Sequence, residues 1–130
     1  MQSIFDIAGS AMQAQSTRLN VTASNLANVN SVAGSAEEAY KSRQPVFAAI
    51  LNDHIGGVKS LGIVESQREP EMRFNPGHPM ADEQGYVYAS NVDVVEEMAN
   101  MMSASRSYQT NVELLNTTRQ LMLQTLKLGQ

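Results

Sequence analysis

The sequence predicts a mainly α fold with a small β element: long N- and C-terminal helices paired as a coiled coil, with a short β-hairpin and an irregular loop between them. Three observations carry this expectation. All four prolines (Pro45, Pro70, Pro76, Pro79) and six of the eight glycines fall between residues 31 and 90, so helix breakers crowd the middle and spare both ends. Apolar residues near each end recur every seven positions. The 130 residues include no tryptophan and only 5% aromatics, too few large rings to anchor an ordinary compact core. The chain divides accordingly into an N-terminal helix (residues 1–30), a linker, hairpin and extended loop (31–90), and a C-terminal helix (91–130).

The first helix is expected over residues 3–27. Phe5, Met12, Leu19 and Leu26 keep a seven-residue spacing, and Ala8, Gln15, Thr22 and Val29 follow three positions on. The opposite face is unusual. In thirty residues only Asp6 and Arg18 are charged, and the remainder is largely Gln, Ser, Thr, Asn and Ala. A solvated face would carry Lys and Glu. Small uncharged polar residues permit close approach without burying charge, so this helix is expected to be contacted on more than one side. Asn20, Asn25 and Asn28 are expected to cross-link helices by hydrogen bonds.

In the middle zone, residues 46–51 and 58–64 read as strands joined by a loop at 52–57. Residues 70–84 read as irregular, and 85–89 as a third extended piece. A hairpin of this size is marginal in water by itself and must lean on something. Pro76-Gly77-His78-Pro79, with Gly85, is expected to form a structural loop that returns the chain to the last helix.

The second helix is expected over residues 92–128, roughly 55 Å at 1.5 Å per residue. Val94, Met101, Tyr108, Leu115 and Met122 keep a strict seven-residue spacing, interleaved by Met98, Ser105, Val112, Arg119 and Leu126. Leu114, Leu121 and Leu128 widen the apolar face. Ser90 or Asn91 can cap its start, Asp93, Glu96 and Glu97 suit the positive end of its dipole, and Gly129 stops it. Tyr108 reads as a core residue whose hydroxyl finds a partner. Met98, Met101 and Met102 read as adaptable packing.

Several functions are excluded. The net charge of −4 is spread out and no basic run exists, so there is no footprint for nucleic acid. Without cysteine there is no disulfide framework and no thiolate metal site. No stretch approaches the ~18 apolar residues of a membrane span, so direct membrane insertion is not expected. The N-terminus lacks the basic and apolar regions of a cleaved signal peptide. His54, beside Asp53, and His78, four before Asp82, sit in turn-like contexts and read as structural, not as metal ligands or acid–base groups. No cofactor is expected, and no nucleophile–base pair or phosphate loop marks an enzyme. What remains is assembly. Two paired helices shelter one stripe each and leave contiguous apolar and amide-rich surface that monomers avoid, so neighbouring subunits are expected to cover it. The rivals are a small helical bundle and a free-standing helical adaptor.

Residues 11–31, Ala-Met-Gln-Ala-Gln-Ser-Thr-Arg-Leu-Asn-Val-Thr-Ala-Ser-Asn-Leu-Ala-Asn-Val-Asn-Ser, resemble the N-terminal signature of bacterial flagellar axial proteins. Pro76-Gly77-His78-Pro79, Ala81-Asp82, Gly85-Tyr86-Val87, the run from Asn91 to Met98 and that from Met102 to Glu113 are similar to the basal-body rod proteins of that family. The likeness spans almost the whole chain in order. It departs at Asn30-Ser31-Val32-Ala33-Gly34-Ser35, where many axial proteins have Asn-Thr-x-Gly and then an aromatic residue.

The resemblance implies a structural subunit of the proximal rod, exported by the flagellar type III apparatus without a cleaved leader and polymerised in the periplasm. It implies copies of itself and the rod proteins FlgB and FlgF as partners, with FliE, FlgG and the MS ring among further neighbours. It also implies that the paired terminal helices form an inner tube around an export channel, as a torque-transmitting shaft. The uncharged residues Gln13, Gln15 and Ser16 are expected on the channel wall. Phe5, Met12, Leu19, Asn25, Leu26 and Asn28 of the first helix are expected at helix and subunit contacts. Val94, Met98, Met101, Tyr108, Val112, Leu115, Met122 and Leu126 are their counterparts on the second.

Overall fold

The computed structural model describes residues 2–52 and 55–129. Asp53 and His54, and with them the reading of His54 as a structural histidine, lie outside the described residues.

Helix α1 (Gln2–Ala27) ends where its last carbonyls find other partners. The Asn28 side chain donates to the Ser24 carbonyl at 2.9 Å, and its backbone N–H reaches the Ser24 and Asn25 carbonyls. Asn28 therefore closes its own helix and links no other. Strands β1 (Val32–Ala33), β4 (Met72–Phe74) and β5 (Tyr86–Ala89) form a small antiparallel sheet in the order β1-β5-β4. Strands β2 (Arg43–Asn52) and β3 (Ile55–Glu65) form a long antiparallel hairpin. Its pairing reaches Asn52 and Ile55, so residues 52 and 55–57 of the expected six-residue loop belong to the strands. Pairing passes from Val46–Gly62 to Phe47–Ser60, so Leu61 is an extra residue and Gly62, at φ +137°, absorbs the bulge. The stretch read as irregular, residues 70–84, contains β4 and a closed turn, because β5 supplies a ladder that no local pattern announces.

Helix α2 (Val94–Leu128) begins two residues later than expected. Its cap is neither Ser90 nor Asn91 but Asp93, whose Oδ1 accepts from the N–H groups of Val95 (3.0 Å) and Glu96 (3.3 Å). Ser90 and Asn91 are occupied elsewhere. Ser90 Oγ donates to the Val29 carbonyl, and Asn91 holds Ser42 and Arg68.

The helices run antiparallel. Val29, just past α1, meets Ser90, just before α2, while Arg18 donates to Asn100 (3.2 Å) and Ser103 (3.5 Å) one to three turns into α2. The hairpin lies along another side of α1. Val58 N–H donates to Ser10 Oγ at 3.1 Å, and a Cβ on Gly57 would meet that oxygen at 2.9 Å, so glycine permits the close approach. The expectation that α1 is contacted on more than one side therefore has a covering within the chain. Of the residues expected on a channel wall, Gln13 is exposed and Gln15 and Ser16 are half-buried, and both glutamines line grooves shared with Phe47 of the hairpin.

The core is thin. Among the described residues its buried apolar members are Ala8, Ala14, Val21, Ala33, Ala39, Val87, Ala89 and Ala104, and the largest side chain below 2% exposure is Asn25. On α2 the buried residues Glu97, Ala104 and Thr118, with half-buried Asn111, mark one seven-residue line. Half-buried Met101, Tyr108, Leu115 and Met122 mark the other. Of the interleaving line, Ser105 and Val112 are half-buried, while Met98, Arg119 and Leu126 are exposed. The seam is rotated by one residue from the stripe the periodicity suggested. Small and polar residues let α1 approach there, and Met98 and Leu126 are left outside.

Candidate assembly interface

A polar knot holds the ends of α1, β2 and α2 together. Asn25, 1% exposed, donates from Nδ2 to the Arg43 carbonyl (2.8 Å) and accepts on Oδ1 from Arg43 N–H (3.0 Å) and the Tyr40 hydroxyl (2.9 Å). Its amide pairs with a peptide as a strand would, joining helix to strand, not helix to helix. Asn91 Oδ1 accepts from Ser42 N–H, while its Nδ2 donates to the carbonyls of Arg68 (2.8 Å) and Ser66 (3.4 Å). Two asparagines thus hold both strands at the open end of the hairpin to the helix pair. Asn20, the third candidate cross-linker, is exposed.

The loop read as structural is tightly wound. His78 N–H donates to the Asn75 carbonyl and Ala81 N–H to that of His78, while His78 Nδ1 accepts from Met80 N–H at 3.0 Å. Asp82 Oδ1 accepts from Gln84 N–H (3.0 Å) and Tyr86 N–H (2.8 Å). Both polar side chains of the Pro76-Gly77-His78-Pro79 region hold backbone. Gly85 sits at φ +86°, and a Cβ there would meet the Phe74 ring at 3.0 Å and Pro76 Cβ at 3.1 Å. Phe74 meets Tyr86 edge-on at 5.3 Å. Among the described residues no group of three or more His, Cys, Asp or Glu could hold a metal ion, and no helix is long and apolar enough to cross a membrane.

The other predicted contact residues are half-covered or bare. Phe5, Met12, Leu19, Leu26, Met101, Tyr108, Val112, Leu115 and Met122 are half-buried, whereas Val94, Met98 and Leu126 are exposed. A further apolar set, of which Met98 and Met102 were read as adaptable packing and Val95 was not singled out, is also bare. Val95 and Met102, above 70% exposed, lie with Met98 on the side of α2 away from α1, and Leu61, Ile63 and Val64 lie on the hairpin. Their helical spacing of three to four was visible in the sequence, but the seven-residue stripe drew the reading elsewhere.

Helix α2 also outruns its partner. Extending the register set by Ser90–Val29 and Arg18–Asn100 brings Gln2 level with about residue 117, so the last ten residues of α2, about 15 Å, project past the described start of α1. Leu121, Leu123, Leu126 and Leu128 are all exposed on this projection, Leu128 by 89%. A helix end with four bare leucines beside Gln120, Gln124 and Lys127 is a surface awaiting a cover.

Comparison with known proteins gives these surfaces a setting. Residues 5–34 match the family model described as Flagella basal body rod protein, and residues 83–128 that described as Flagellar basal body rod FlgEFG protein C-terminal. The matched segments are those that build α1, β1, β5 and α2, and the hairpin lies outside both. The chain is 56% identical to the flagellar basal-body rod protein FlgC of Salmonella typhimurium and 57% identical to that of Escherichia coli O6:H1, each alignment covering 98% of this chain and 96% of the relative. It is 43% identical, over the same shares, to the FlgC protein of Buchnera aphidicola from Acyrthosiphon pisum.

Proposed function

This chain belongs to the family of the flagellar basal-body rod protein FlgC, structural subunits and not enzymes, and on that premise we propose that it polymerises through its terminal helices into the proximal rod, forming the torque-transmitting shaft and its central export channel. Residues 1–30 and 91–130 build the inner tube, winding together as a coiled coil within the polymer, and residues 31–90 form the layer against them. Its neighbours are further copies and the rod proteins FlgB and FlgF, with FliE, FlgG and the MS ring close by. It reaches the periplasm through the flagellar type III apparatus without a cleaved leader.

The observation that supports this reading most is the mismatch between core and surface. Among the described residues the buried apolar side chains are no larger than valine, while leucine, methionine, isoleucine and phenylalanine lie exposed along α2, β3 and β4. A chain whose largest apolar groups are outside gains most from burial between subunits. Stiffness follows, because torque passes through wide packed contacts better than through a flexible joint. The channel wall requires uncharged polar residues that hold no passing chain. With Gln13 and Gln15 beside the hairpin, exposed Gln109, Thr117, Gln120 and Gln124, on the side of α2 away from α1, suit that wall better.

The test is to purify basal bodies from cells making a tagged copy of this chain as their sole copy. The tag should be found in the proximal rod, next to FlgB and FlgF in cross-linking, and the assembled chain should retain its N-terminus. A complete rod built without the chain overturns the reading.

A further inference from the structure

Among the described residues Glu97 is the charged side chain set into the core, 3% exposed, and it accepts one long hydrogen bond, from Ser42 Oγ at 3.4 Å. A buried carboxylate is stabilised by strong donors or by a cation. Two arginines line the same open cleft, of about 410 Å³ between α1, α2 and β2, yet neither stands within ion-pair distance of it. Arg43 is exposed, its guanidinium 5.8 Å from the centre of the Tyr40 ring. Arg18, half-buried, reaches along α2 instead, donating to Asn100 Oδ1 at 3.2 Å and Ser103 Oγ at 3.5 Å. Both acceptors are neutral, and both bonds are longer than the roughly 2.7–2.9 Å of a charge-assisted one.

Glu97, Asn100 and Ser103 follow one another at intervals of three, so neighbours among them stand a turn apart, with Cβ atoms about 5–6 Å from each other. The Arg18 fork covers the second and third of these acceptors. A shift of three residues towards the start of α2, about 4.5 Å, covers the first and second. The long arginine side chain spans that distance by changing rotamer, with both backbones in place. Water decides which position prevails. While the cleft is open a guanidinium there stays hydrated, and an ion pair gains little. Excluding water strengthens a charge pair far more than it strengthens bonds to an amide and a hydroxyl.

We propose that Arg18 is a two-position latch between the helices. In the free chain it spans Asn100 and Ser103. When a neighbouring subunit closes over the cleft, it moves one turn, pairs with Glu97 and releases Ser103. Half-buried Asn100 is held in both positions, so the helix register is kept while the exposed Ser103 hydroxyl becomes free to bond the neighbour. The latch rests on the rod-subunit reading for that neighbour, and on the geometry of this chain for its two positions.

Double-mutant cycles in urea, on the full chain, measure the latch directly. Arg18→Gln and Glu97→Gln should be uncoupled in the otherwise unsubstituted protein, within about twofold in the folding equilibrium constant. With both neutral acceptors removed by Asn100→Ala and Ser103→Ala, their coupling should rise about tenfold, whereas Arg43→Gln and Glu97→Gln stay uncoupled. Should Asn100→Ala prevent folding, Ser103→Ala alone, at an exposed position, should raise the coupling about threefold. No rise, tenfold coupling already in the unsubstituted chain, or coupling through Arg43 instead overturns the latch. Glu97→Gln should also lower incorporation into basal bodies severalfold. Full incorporation of that variant overturns the latch and leaves the rod-subunit reading standing, whereas an unsubstituted chain excluded from basal bodies refutes that reading separately.

Discussion

Asn25 makes three hydrogen bonds, two of them to the backbone of Arg43, at a site almost without solvent. Asn25→Ala should lower the free energy of unfolding by about 3 kcal/mol, at about 1 kcal/mol per lost bond, as read from a urea midpoint. Asn25→Asp keeps the shape but cannot donate to the Arg43 carbonyl, so it should fail to restore the loss. Gly85 is a second such position. Its φ of +86°, and the Phe74 and Pro76 atoms within 3.1 Å of where a methyl group would stand, leave no room for a side chain. Gly85→Ala should cost roughly 1–3 kcal/mol, seen as a lower Tm. Both residues were legible in the sequence as special, Gly85 as a loop glycine and Asn25 as an amide that cross-links helices. The partner of Asn25 was not. An amide side chain satisfies a peptide group as well as another helix, and which one lies beside it depends on a contact eighteen residues away.

At the scale of elements, the two helices follow from their sequence because no breaker interrupts either, and their ends lie within two residues of expectation. The cap of α2 did not follow. Ser90, Asn91 and Asp93 are all competent caps, and the first two are drawn off by Val29 and Ser42. Asp93→Ala should therefore cost about 1 kcal/mol in urea denaturation, and Asp93→Asn much less, because the amide oxygen still accepts from the first turn. Ala104, wholly buried where α2 approaches α1, sets the spacing of the pair. Ala104→Leu should force the helices apart and destabilise the chain by about 1–3 kcal/mol, checked by thermal melting, whereas the same change at exposed Ala99 should be nearly neutral. The β elements were only partly legible. Strands 46–51 and 58–64 announced themselves by composition, but β1 and β4 are two and three residues long and exist because β5 lies between them.

For the whole molecule, the projecting tail separates stability from assembly. Removing residues 119–130 takes away side chains that are mostly exposed in the single chain, so the Tm should stay within about 3 °C of the full chain. Incorporation into basal bodies should be lost. A large fall in Tm would mean that the tail contributes to the fold of the single chain, contrary to its exposure. The hairpin belongs at this scale too. It covers the side of α1 whose small polar residues were expected to meet other subunits, and so leaves α2 as the helix with an open outer face.

The sequence by itself determined the two long helices, the breaker-rich middle and the assembly character of the surface, because each depends on local propensity or on composition. Tertiary structure alone decided which line of α2 is buried, where the hairpin rests and which asparagine holds which strand. A seven-residue repeat places apolar residues in lines along a helix, but adjacent lines differ by a fraction of a turn, and in a helix poor in large core residues little energy separates them. The choice then falls to small residues such as Ala104 and Thr118, whose value lies in letting a neighbour come close, and closeness exists only once the partner is in place.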